Sequence, residues 1–163
     1  MMGPIHKILV LIDGTEQSIT AAQFSICLAH SSGAELTALY VVNKRALDDL
    51  LKSRIFLQEE QSEYQHDLET DAERYLNHVQ KMAQDKGVDI ETISKSGTVH
   101  REVIESIKAG DYDLLVMGEI SRIRSRRDEF YNEAERTMRL SPCSVLVVKD
   151  EEKVFEMFER WDD

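Results

Sequence analysis

The chain opens on an apolar run, Ile5, Ile8, Leu9, Val10, Leu11 and Ile12, which breaks at Asp13-Gly14. A run without polar alternation suits a strand covered on both faces, as in a parallel sheet, and Asp-Gly supplies the turn that leaves it. Thr15 is placed to cap a helix, with Ala22, Ile26 and Ala29 on one stripe, until Ser31-Ser32-Gly33 stops it. Leu36, Ala38, Leu39, Tyr40, Val41 and Val42 predict a second strand. Residues 43–63 are charged, with scattered apolar positions at Leu50, Leu51, Ile55 and Leu57, and read as a connector with some helix. Tyr64, Leu68, Tyr75, Leu76, Val79 and Met82 then hold a helical period up to Gly87.

Val88, Ile90, Thr92 and Ser94 alternate as a short third strand, and Thr98 is placed to cap a helix through Val103, Ile104 and Ile107. Leu114, Leu115, Val116 and Met117 predict a fourth strand ending at Gly118. A helix around Phe130, Ala134 and Met138 leads through Ser141-Pro142 to a fifth strand, Val145 to Val148. Strands alternating with helices predict an α/β fold, a doubly wound five-stranded parallel sheet with right-handed crossovers, over residues 1–150. Residues 151–163 form an amphipathic helical extension, with Val154, Phe158 and Trp161 at i, i+4, i+7 spacing and Phe155 beside them. Asp150, Glu151 and Glu152 favour its start and Arg160 its last turn. Its apolar face has two candidate resting places, the chain's own layers or a dimer partner or client.

Composition changes this picture in one respect. The net charge of −11 on 163 residues argues against nucleic acid and acidic membranes as partners, because phosphate neutralisation needs clustered Lys and Arg. Yet Arg122, Arg124, Arg126 and Arg127 crowd into one short segment. No long apolar stretch marks a membrane span or signal peptide, so a cytoplasmic location is expected. Cys27 and Cys143 lack a CxxC partner and read as buried thiols. His6, His30, His66, His78 and His100 show no metal-ligand spacing and no acid to complete a site, so solvated or capping roles are expected and no metal is assigned.

Ligands of open parallel sheets sit outside the carboxyl ends of the strands, where the strand order reverses. This directs attention to Asp13-Gly14, Val41-Val42-Asn43, Ser96-Gly97 and Met117-Gly118. ILVLIDGTEQS, LTALYVVN, the Gly97 turn, YDLLVMG and SPCSVLVV, in that order, resemble the universal stress protein family over nearly the whole chain. The resemblance implies an adenine-nucleotide α-hydrolase-like sheet of order 3-2-1-4-5 and a homodimer through the fifth strand; the apolar face of the C-terminal helix is a candidate second contact in that dimer. It also implies that Asp13 and Val41 lie by an adenine and ribose, with Met117-Gly118 near the sugar and phosphates.

ATP-binding members of that family follow the fourth strand with Gly-x-x-Gly, nine residues and Gly-Ser or Gly-Thr, so that backbone N–H groups close on the phosphates. Here only Gly118 matches; Ser121 takes the second glycine position and Tyr131-Asn132 the later pair. Ser125-x-x-Asp128 reads as a capping box that starts the fourth helix early. Two accounts of the arginines stand side by side: neutralisation by Asp128, Glu129 and other carboxylates, or binding of a phosphate or acidic partner. Two functions follow. The first is a non-catalytic stress protein acting through dimerisation and protein contacts, requiring no cofactor. The second is an ATP- or AMP-binding regulator that uses Asp13, Val41, Met117, Gly118, Ser121, Arg122, Arg124 and Asn132. A related adenine-nucleotide enzyme is a third reading; no Gly-x-Ser-x-Gly elbow, Walker A sequence or nucleophile-base pair recommends it, and slow ATP hydrolysis is the one activity left open.

Overall fold

The computed structural model describes residues 3–44, 48, 52, 58–120 and 129–161. Its elements are β1 (Lys7–Ile12), α1 (Glu16–Ser32), β2 (Glu35–Asn43), α2 (Gln58–Asp85), β3 (Ile90–Gly97), α3 (Val99–Gly110), β4 (Leu114–Gly118), α4 (Glu129–Leu140), β5 (Ser144–Val148) and α5 (Glu151–Glu159). All strands pair in parallel, as the pattern predicts, in the order β3-β2-β1-β4-β5 that the resemblance implies. β1 is central, with Ile8 opposite both Leu36 and Leu114. Its apolar run is buried on both sides because alternate residues face different helix layers. Ile8, Val10 and Ile12 pack with Ala22 and Ile26 of α1, Leu76 and Val79 of α2, and Val154 and Phe158 of α5. Leu9 and Leu11 pack with Leu39, Val41, Leu115 and Met117 under Val103 and Ile107 of α3. Each such fully buried aliphatic side chain contributes about 1.5–3 kcal/mol.

Several boundaries depart from expectation. α2 spans Gln58–Asp85 and so takes in residues ahead of Tyr64, where the sequence 58–63 holds no apolar residue to mark a helical stripe. Leu50, Leu51, Ile55 and Leu57 lie outside the described residues. Val88 is not part of β3: its N–H donates to the Ala83 carbonyl at 2.9 Å, closing α2 around Gly87, whose φ is 72°. Thr98 stands at the α3 N-cap but makes no side-chain capping bond. Cys27 is buried, and burial pushes its thiol pKa up against the opposing charge of Lys86; Cys143 is only half-buried.

The C-terminal extension rests on its own chain. Asp150 caps α5 by accepting from the Lys153 N–H at 3.2 Å, and Arg160 falls at the C-cap, one position past the last turn where it was expected. The Trp161 ring meets His30 edge-on at 5.5 Å, and Lys86 Nζ lies 4.8 Å over the Phe158 ring. These contacts tie the tail to the carboxyl-terminal ends of α1 and α2.

Candidate functional site

The chain runs from β1 outward to β3 and then returns to β4 on the other side of β1, so the order reverses between β1 and β4. At the carboxyl end of β1, Asp13 is committed to local structure. Its Oδ1 accepts from the Thr15 N–H at 3.0 Å and the Thr15 hydroxyl at 2.5 Å, while Thr15 Oγ1 accepts from the Ser18 N–H at 3.2 Å. Asp13 thus orders the cap of α1. Gly14 has φ 82°, and a Cβ there would stand 3.0 Å from the Tyr75 ring. Tyr75 in turn stacks on Tyr40 at 6.1 Å. Burial, then the charges of Asp13, Tyr75 and Asp71, push the Tyr40 hydroxyl pKa up.

Gly118 has an equally local cause. A Cβ there would lie 2.4 Å from the Gln17 carbonyl oxygen, so the end of β4 presses on the first turn of α1 without room for a side chain. Val41 and Met117 are buried in the layer beneath α3. Asn132 falls within α4. Ser121, Arg122 and Arg124, with the Ser125-x-x-Asp128 capping box and the remaining arginines, lie outside the described residues. The structure therefore brings Asp13, Val41, Met117 and Gly118 to one end of the sheet, each with a packing or turn role of its own.

The most heavily engaged polar group at this end is Glu133 of α4, only 7 % exposed. Its Oε2 accepts from the His100 backbone N–H at 3.0 Å and lies 2.8 Å from His100 Nδ1. Arg136 Nη1 is 3.5 Å from Oε1. Glu133 therefore serves the first turn of α3 in place of the unused Thr98 hydroxyl, an anion supplied from another helix to the positive end of the peptide dipoles. His100 is accordingly paired with an acid, contrary to the expectation of solvated or capping histidines. Thirty-three positions separate the partners, so only the packing of α3 on α4 brings them together.

Burial alone would raise the Glu133 pKa, but the His100 hydrogen bonds and the His100 and Arg136 charges outweigh it and hold the carboxyl below its ordinary 4.5. A carboxyl lowered in the folded state adds stability above its unfolded pKa, and loses it as pH falls through the folded one. Urea unfolding of the protein is therefore expected to show declining stability as pH falls below about 4.5. The fall should be shallower in Glu133→Gln, and an unchanged slope would refute the assignment.

Among the described residues, no group of three or more His, Cys, Asp or Glu is placed to hold a metal, and no helix is long and apolar enough to cross a membrane. The sequence profile of the universal stress protein family matches residues 4–149. Universal stress protein MJ0531 of Methanocaldococcus jannaschii is 33% identical over 147 residues, covering 90% of this chain and 84% of its own. UspA of Lactobacillus plantarum superposes with a TM-score of 0.71 at 22% identity, over 89% of this chain and 98% of its own. A family protein from Arabidopsis thaliana, solved with AMP bound, superposes with a TM-score of 0.66 at 14% identity, over 91% and 94% of the two chains.

Proposed function

We propose that this chain, which belongs to the universal stress protein family, is a non-catalytic cytoplasmic homodimer that acts in stress response through protein contacts and does not hold ATP in the usual loop. The observation that carries this reading is the buried Glu133 carboxylate on the first turn of α3. Glu133 directly follows Tyr131-Asn132, the positions that match the family's Gly-Ser pair. A triphosphate brought to this end of the sheet would find the amide end of α3 already taken by this carboxylate, which His100 and Arg136 hold in place. This supports the reading that ATP is not held here. The close contact of Gly118 with Gln17 supports the same view, since it accounts for the one matching glycine without a ligand.

Dimerisation is proposed through β5, an edge strand whose Val145, Leu146 and Val147 are only half-buried. Antiparallel pairing across a twofold axis would cover that edge. Sedimentation should give the mass of a dimer, and a monomer at every concentration tested would refute it. Isothermal titration with ATP is expected to give no saturable heat.

The AMP held by the Arabidopsis protein favours a second reading. In it, Asp13, Val41 and Met117 receive the adenosine and Arg122 and Arg124 take a monophosphate. Saturable heat with AMP but none with ATP would select it.

A further inference from the structure

We propose that the groove between α1 and α5 is a docking surface for a basic amphipathic segment of a partner protein. Ile19 of α1 and Phe155 of α5 line it, together with Glu16, Glu151 and Glu152. Phe155 is 51% exposed, while Val154 and Phe158 on the same helix are buried. α5 thus presents an aromatic ring outward after its own docking is complete. One exposed phenylalanine needs no explanation by itself. The charges around it make the difference.

Thr15 caps α1 and Asp150 caps α5, so the three first-turn glutamates favour the helix starts through the peptide dipoles without themselves accepting a capping bond. Among the described residues, none of the three carboxylates has a salt-bridge or hydrogen-bonding side-chain partner, and no basic residue lines the groove. Like charges sharing a groove repel, and a cation between them removes that cost. Apolar contact surface within an acidic rim fits a helix carrying Lys or Arg around a leucine or similar side chain. The sign of the charge excludes phosphate-rich surfaces. A second copy is disfavoured as the occupant, since twofold pairing of this face would set glutamates against glutamates. The wall that α5 contributes lies beyond residue 149, where the family match ends.

This inference rests on the protein-contact reading. Its test uses a fluorescein-labelled amphipathic Leu/Lys peptide of about 14 residues, long enough to form a helix on the surface. Fluorescence anisotropy on the full chain should show saturable binding. Phe155→Ser should weaken it about tenfold or more, as should Glu151→Gln with Glu152→Gln. Glu73→Gln with Asp89→Gln, the same charge change at exposed sites elsewhere, should leave it within about twofold. Absence of saturable binding, equal loss in the Glu73 and Asp89 variant, or full binding by Phe155→Ser each overturns the proposal. So does a drop in sedimenting mass caused by Phe155→Ser, which would assign the groove to a second copy. Failure of the peptide with no nucleotide bound removes this surface and leaves the broader reading standing, whereas ATP found in the protein removes the broader reading.

Discussion

Phe158→Ala is expected to lower stability by about 3–5 kcal/mol, the usual cost of emptying a buried aromatic site. Phe158 belongs to the core between the sheet and α1, α2 and α5, and Lys86 closes over its ring. A domain of ordinary stability has only about 5–15 kcal/mol to lose. Deleting 151–163 removes Val154 and Trp161 as well and should be at least as damaging. Phe155→Ala, one residue from Val154 but half exposed, should stay within about 0.5 kcal/mol. Urea denaturation followed by circular dichroism measures all three. Equal stability of Phe158→Ala and the parent would mean that the tail does not form part of the core.

Gly118→Val should cost about 3 kcal/mol or prevent folding. The overlap is with the Gln17 carbonyl, a backbone group in the first turn of α1, so no side-chain rotation relieves it. The same denaturation series tests it. The loss should not depend on added nucleotide, because the clash is with the protein itself. A Gly118→Val protein of undiminished stability would return this glycine to the role of a ligand contact.

Periodicity revealed the fold because the sheet layers are strictly partitioned. The unbroken run from Ile8 to Ile12 could be satisfied only by a strand with helices on both faces, and its neighbours in β2 and β4 show the same signature. Legibility fell where burial is one-sided or absent. Residues 58–63 at the start of α2 carry no apolar stripe, and β3 at the sheet edge alternates too weakly to separate Val88 from the strand. The candidate site was legible only in part. Asp13 and Gly118 announced themselves as strand-end residues, but the local jobs that hold them, the Thr15 cap and the Gln17 contact, are tertiary facts. The His100–Glu133 pair had no local signal at all. Thr98 looked like the cap of α3, and a carboxylate from α4 took that role instead. The arginine-bearing segment 121–128 lies outside the described residues, so its competing accounts stand as the sequence left them.

On the proposed reading, a buried carboxylate and a glycine-poor loop leave this family member without ATP. The test is to purify the protein with no added ligand, denature it and separate the released small molecules by chromatography. No adenine nucleotide above the level of a protein-free blank is expected. ATP released in stoichiometric amount would contradict it.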